Sequence, residues 1–342
     1  METAPRRPRR AARYHARPRS SGTPITLRHD PAESDAPAER FPEALVTVAI
    51  IARDAAAHLE PTLASLRAQR FDDFNVVLLD DGSTDATAAL AERCAADWPR
   101  LRVLRQPPRG IPASRNRILD GARCRYLAIL DADDLALPER LATQVAFLER
   151  HPDCALCASG YEVFASESPA QVLNRRAERL DRRRLATRLA FRNPVLHSSV
   201  MLRVAALRTL GLRYDERYAC AEDYELLTRT ALVARIDMLP EVLVRYRRHP
   251  AQSIARLPDA MRGHHLHAMA RLWRDCGVEP SPADLAALAF PKQSARAAAL
   301  PRLLAHVGQL RAGLAARDLL DAPELRRYAR HLALDALRPR RR

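Results

Sequence analysis

From Phe41 onward the chain alternates short apolar runs with longer stretches whose apolar residues recur at helical spacing. LVTVAII (45–51) is continuous, rich in β-branched residues and bounded by polar ones, which predicts a strand buried on both faces. FNVVLLDD (74–81), LRVLRQ (101–106), RYLAILDADD (125–134) and CALCASGYEVF (154–164) read the same way. Between them lie four helical stretches: 58–71, with Leu59, Leu63 and Leu66 on one face, then 85–98, 111–122 and 137–152. Pro138 suits the first turn of the last. Strand followed by helix, four times over, demands crossover connections. The fold class is therefore α/β, a mostly parallel sheet flanked by helices.

The rhythm then breaks. Residues 165–195 hold an Arg-rich amphipathic stretch, HSSVMLR (197–203) reads as a strand, and 204–211 as a short helix. AEDYELLTRTALVA (221–234) is a longer helix, and RIDMLPEVLVRYRRH (235–249) predicts two short strands joined at Pro240. Past Ser253 the pattern is helical, interrupted at Pro280, Pro291, Pro301 and Pro323. Residues 1–40 have too few large apolar side chains to offset their ordering entropy, so a disordered basic tail is expected there.

Apolar residues make up 47% of the 342, mean hydropathy is −0.30, and no apolar run reaches the ~20 residues of a membrane span. The basic start has no apolar segment behind it, so neither a secretory signal nor an integral membrane protein is expected. The net charge of +15 sits in three places: residues 1–28 (+7), 175–192 (+6) and 326–342 (+6). Residues 41–170 carry −5, so the probable core is acidic. Aromatics are only 5% and sparse among the arginines, which argues against specific nucleic-acid binding. Cys154 and Cys157 form the one CxxC; three apart on a strand they face opposite sides, so buried thiols in a reducing compartment are expected rather than a zinc or redox site.

Carboxylates stand at the strand ends: Asp80 and Asp81, then Asp131, Asp133 and Asp134. In open α/β sheets the ligand crevice lies outside those carboxyl ends. An aspartate cluster there, directly after a buried strand, is costly without a cation partner.

DDGSTDAT, RGIPASRN, LDADD, AEDYEL and RYRRH arrive in the order and spacing of a known family. Across about residues 44–253 the chain resembles a family 2 glycosyltransferase of the GT-A fold. The resemblance implies a GT-A domain over 41–253, with a donor half at about 41–165 and an acceptor half at about 166–253. A helical C-terminal region with a basic tail would follow at 254–342. It also implies inverting, metal-dependent transfer of a sugar from a nucleoside-diphosphate sugar, UDP favoured, to a hydroxyl of a glycan or lipid-linked acceptor. The setting would be bacterial cell-surface glycan assembly, in the cytoplasm or peripherally on the anionic inner leaflet.

The chemistry asks for such residues. Transfer expels a diphosphate and builds oxocarbenium character, as in glycoside hydrolysis. Mn²⁺ or Mg²⁺, held by one or two carboxylates and the phosphates, would neutralise the leaving group. By resemblance Asp133 is the direct ligand, Asp131 lies toward ribose or metal, and Asp134 supports them. His249 would sit near metal and diphosphate, with Arg247 and Arg248 on phosphate oxygens. Asp81, with Asp80, would hold the nucleobase, while Asp85 caps a helix. Arg53-Asp54 stands where the family usually has Pro-x-Tyr-Asn, so Arg53 would stack or reach phosphate and Asp54 replace the Asn. Arg115 would lie near the nucleotide. Glu222-Asp223 matches the family's ED motif, with Asp223 the base. His197 would line the acceptor side, whereas His264, His265 and His267 would be surface residues.

Two other readings are weaker. A sugar-nucleotide pyrophosphorylase wants a Gly-rich basic loop after its first strand, and IIARDAAAHL has no glycine. A non-catalytic nucleic-acid binder would use the Arg-rich segments. For residues 175–192 a solvated loop-helix and a membrane-contacting surface both stay open.

Overall fold

The computed structural model describes residues 43–249 and 258–338, and the expected disordered tail lies outside them. The first half runs β1 (Val46–Ala52), α1 (Ala56–Arg67), β2 (Phe74–Asp81), α2 (Thr87–Ala96), β3 (Leu101–Gln106), α3 (Ile111–Gly121), β4 (Tyr126–Ile129), β5 (Leu135–Ala136) and α4 (Arg140–Arg150). The second runs β6 (Cys154–Ala165), β7 (Ser168–Arg176), α5 (Arg182–Leu189), β8 (Met201–Arg203), α6 (Val204–Thr209), α7 (Glu222–Val233) and β9 (Arg235–Arg248). Beyond it come α8 (Pro258–Asp275), α9 (Pro282–Ala289), α10 (Pro291–Ser294), α11 (Leu300–Ala316) and α12 (Ala322–Leu337).

One sheet orders the strands β3-β2-β1-β4-β8-β6-β9-β5, with β7 attached to β6. The strands from β3 to β4 are parallel, as the alternation of strand and helix requires. β8 then enters antiparallel between β4 and β6. Side chains alternate across the sheet: Val46, Val48 and Ile50 pack with Leu59, Leu63 and Leu66 of α1, while Val77 and Leu79 face Ile118 and Leu119 of α3.

Four details depart from the sequence pattern. The LDADD stretch is not strand to its end: β4 stops at Ile129 and the aspartates form a turn, with Asp134 N donating to Asp131 O at 3.2 Å. Residues 235–248 are one strand, because the register against β6 shifts between Ala158 and Gly160 and absorbs Pro240. Only glycine fits at 160, since a Cβ would lie 2.6 Å from Arg176 O and 2.9 Å from Pro240 O. β7 was invisible to patterning because all nine of its residues are exposed, so nothing imposes alternation. A further register shift between Cys154 and Leu156 turns both CxxC thiols to one side, where burial pushes Cys154 up to about 12 and Cys157 well up.

The C-terminal helices dock on α5 and α7. His264 and His265, expected on the surface, pack instead: His264 Nδ1 lies 2.9 Å from Cys220 O, and His265 stacks on Tyr224 at 4.4 Å. His267 is exposed but lies over Tyr218. Helical spacing alone did not tell which face a neighbour covers. Part of the Arg-rich stretch is likewise absorbed into the fold. Arg184 and Arg188 reach Glu324 of α12 at 3.0 and 2.7 Å, and both pair with Glu178. Although burial opposes it, Arg188, Arg184 and Arg327 hold the Glu324 carboxyl down to about 2.

Trp273 of α8 anchors this docking. It is fully buried, donates Nε1–H to Ala190 O at 2.5 Å and meets Phe191 edge-on at 5.6 Å. Trp273→Ala should cost about 3–5 kcal/mol of unfolding free energy in urea titration. An unchanged midpoint would show that α8 is not part of the cooperative unit.

Candidate active site

The turn after β4 puts Asp131, Asp133 and Asp134 in three different environments. Asp134 is fully buried and accepts Arg247 N at 2.9 Å, tying the turn to β9; burial, then the charges of Asp133 and Asp131, push its carboxyl well up. Asp133 Oδ2 lies 2.9 Å from His249 Nε2, and burial followed by Asp131 raises its carboxyl. Asp131 is the open one, its side chain 39% exposed. It accepts Arg115 Nη2 at 3.1 Å, and its backbone N–H donates to Ser198 Oγ at 3.2 Å. His58 of α1, which the sequence did not single out, lies with its ring 4.5 Å from that of His249.

These groups fit a divalent cation shared with substrate. Among the described residues no three His, Cys, Asp or Glu side chains form a metal cage. Two crowded carboxylates and a histidine nonetheless match a site completed by phosphate oxygens, and a cation there would relieve the repulsion that raises Asp133. Arg247 is 6% exposed, donates Nε–H to Asp133 O at 2.7 Å and lies over Phe164, so it braces the turn, while Arg248 is exposed.

The wall of the crevice is sewn from the β1–α1, β2–α2 and β3–α3 loops. Asp54, held at φ 50°, accepts Thr84 N at 2.8 Å and its own N–H donates to Ser83 Oγ at 3.0 Å. Asp80 accepts from the Ser83 hydroxyl. Asp85 accepts Thr87 N and Ala56 N, bridging the starts of α2 and α1 rather than capping one helix. Asp81 is 2% exposed; burial works to raise its carboxyl, but Gln106 Nε2, Arg109 N and Gly110 N at 2.7–2.8 Å hold it below the usual range. Asp80, Asp81 and Asp54 thus line this wall with oxygens already engaged, and Arg53 stands exposed at the end of β1.

Opposite lies the start of α7. Ala221, a non-glycine at φ 60°, turns the chain so that Glu222 and Asp223 begin the helix, where its dipole favours negative charge. Arg115 joins the two sides: 6% exposed, it bonds Glu222 Oε1 at 2.5 Å and Asp131 Oδ1 at 3.1 Å, and lies 5.5 Å over the Tyr214 ring. Burial pushes Glu222 up to about 7 against the pull of Arg115, with Asp223 adding to the rise. Burial also raises Asp223, whose Oδ2 accepts Asn193 Nδ2 at 2.9 Å. Asn193 went unnoticed because its only signal was an Asn-Pro break. His197, expected on the acceptor side, is instead interior: 6% exposed, with Nε2 2.9 Å from Tyr214 Oη, and held well below its usual pKa by burial and by Arg115.

A parallel sheet with a carboxylate turn at its switch toward antiparallel strands, faced by a buried acidic pair, defines a sugar-transferase type of α/β fold. The comparisons agree. Residues 47–211, just under half of the chain, match the model of glycosyl transferase family 2. The Bacillus subtilis (strain 168) protein EpsE is 33% identical over 176 residues, 50% of this chain and 61% of EpsE. The chain thus spans about three fifths of that relative's length. Solved structures share the GT-A fold. S. aureus TarS (residues 1–349) in complex with UDP-GlcNAc has TM-score 0.57 at 18% identity, covering 85% of this chain and 88% of that one. Mannosyltransferase PcManGT from Pyrobaculum calidifontis, in complex with GDP-Man and Mn²⁺, has TM-score 0.55 at 22% identity, covering 88% and 84%. Among the described residues no helix is long and apolar enough to cross a membrane.

Proposed function

We propose that this chain transfers a sugar from a nucleoside-diphosphate sugar, UDP favoured, to an acceptor hydroxyl with inversion, using Mn²⁺ or Mg²⁺. The observation that carries the reading is the Arg115 clamp, which brings the donor-side Asp131 and the ED pair into one crevice. Asp223, oriented by Asn193, takes the acceptor's proton as the new bond forms to the anomeric carbon and the bond to diphosphate breaks. Asp131 and Asp133, with His249 beside them, would hold the divalent ion, which supplies charge neutralisation for the departing diphosphate. Asp54, Asp80, Asp81 and Arg53 form the nucleobase and ribose side. The nucleotide-sugar complexes of TarS and PcManGT, and the Mn²⁺ of the latter, support the donor class. The family resemblance adds a role in bacterial surface-glycan assembly at the inner face of the membrane.

Calorimetry with UDP-, GDP-, CMP- and dTDP-linked sugars tests this. One nucleotide should bind in a Mn²⁺-dependent way, and Asp133→Ala should weaken that binding about 100-fold, or ~2.7 kcal/mol. Metal-independent binding, or an unaffected Asp133→Ala protein, would overturn the assignment.

A further inference from the structure

A cavity of about 690 Å³ opens away from the nucleotide side, between β7, α5 and the C-terminal helices α10 and α12. That volume suits a small ligand. Its wall is cationic over an aromatic floor: Phe191 and Tyr328 stack at 3.5 Å, and Phe290 lies beside them. Six of its lining residues are Arg or Lys and three are Asp or Glu. The carboxylates are already taken, Glu178 and Glu324 by Arg188, and Asp335 by Arg338. Arg176, Arg192 and Lys292 have no carboxylate at ion-pair distance among the described residues. Burial, then the charges of Arg188 and Arg176, lower the pKa of Arg192, as expected of a cation crowded by its own kind.

The cavity also points somewhere. A smaller hollow of about 110 Å³ continues it past Arg176 and Arg192 to Asn193, and Asn193 holds the carboxylate of Asp223. A ligand anchored among the free cations would therefore extend toward the base.

We infer that this cleft is the acceptor subsite, and that it takes an acceptor bearing phosphate or diphosphate. Guanidinium and ammonium groups without a carboxylate partner recognise phosphate oxygens through charge-assisted bonds, and the aromatic floor receives the adjoining sugar or apolar chain. The word acceptor rests on the sugar-transfer reading; anion recognition by the cleft does not.

The test is calorimetry on the full chain in EDTA, which removes metal-dependent binding at the nucleotide side. Farnesyl diphosphate, glucose 1-phosphate, inorganic pyrophosphate and a single-stranded oligonucleotide are the probes. At least one phosphate compound should bind, and the double variant Arg192→Ala/Lys292→Ala should weaken it about 10- to 100-fold. Mn²⁺-dependent nucleotide binding and thermal unfolding should stay unchanged in that variant, since neither residue touches the donor side. Preference for farnesyl diphosphate would make the source a lipid-linked acceptor; preference for glucose 1-phosphate, a soluble or polymeric glycan phosphate. Asp133→Ala should bind the same probe as the wild type, so failure of the donor-site assignment and failure of the cleft are separable. Absence of binding by every phosphate probe, binding that survives the double variant, or preference for the oligonucleotide would each overturn the inference.

Discussion

Asp223→Asn should lower the rate of sugar transfer by about 10²–10⁴-fold while leaving Mn²⁺-dependent nucleotide binding near the wild-type value. The asparagine keeps the size of the side chain and an oxygen for Asn193 to bond, so the start of α7 should be undisturbed. What is lost is the ability to take a proton. The raised carboxyls sharpen this prediction. Burial lifts Asp223 above its ordinary value, and Glu222 beside it is pushed up to about 7. A base must be deprotonated to work, so the wild-type rate should fall as pH drops through that raised range and climb as pH rises. The residual rate of Asp223→Asn should lose the limb that Asp223 sets. Single-turnover rates across pH, for both proteins, are the measurement. A variant with full activity and the same pH profile would remove Asp223 from the mechanism.

Arg115→Met should be the more damaging change to the fold. Its guanidinium is 6% exposed and is the cation between Glu222 and Asp131, with Asp223 also within its field. Removing one partner of a buried ion pair leaves the other uncompensated, at about 3–5 kcal/mol. Lysine is a poor replacement because it offers one point charge where two carboxylates are met by separate nitrogens. Adding Glu222→Gln to Arg115→Met should recover much of that stability, because the stranded buried charge is then gone. It should not recover transfer, since nothing would then hold the turn after β4 against the start of α7. Urea unfolding of the two proteins, with activity measured on both, decides it. Equal stability of Arg115→Met and wild type would mean that the clamp is not part of the folded core.

Much of this was legible in the residues themselves. Strands β1 to β4 and helices α1 to α4 follow from apolar runs and helical spacing, because each is buried against neighbours whose periodicity is intrinsic to the element. The clustering of Asp131, Asp133 and Asp134 at a strand end also needed only the α/β rule. β7 and the single long β9 were not legible, since an exposed hairpin has no alternation and a bulge at Gly160 absorbs the proline that marked a break. Long-range partnership was hidden for the same kind of reason. Nothing local in ASRN says that Arg115 meets Glu222, 107 positions away, and nothing in HSSVM says that His197 ends behind Tyr214.

Sequence alone thus determined the element types, the α/β class and the chemical character of the crevice, because periodicity and residue type act over a few neighbouring positions. Tertiary structure decided which charges are spent and which are free. Asp81 is consumed by the β3–α3 loop, Arg184 and Arg188 by Glu324, and Arg115 by the two acidic motifs it joins. Arg192 and Lys292, from the same basic composition, are left facing a cavity. An ionic group's role depends on what lies within a few ångströms of it, and that distance is set by how distant segments pack.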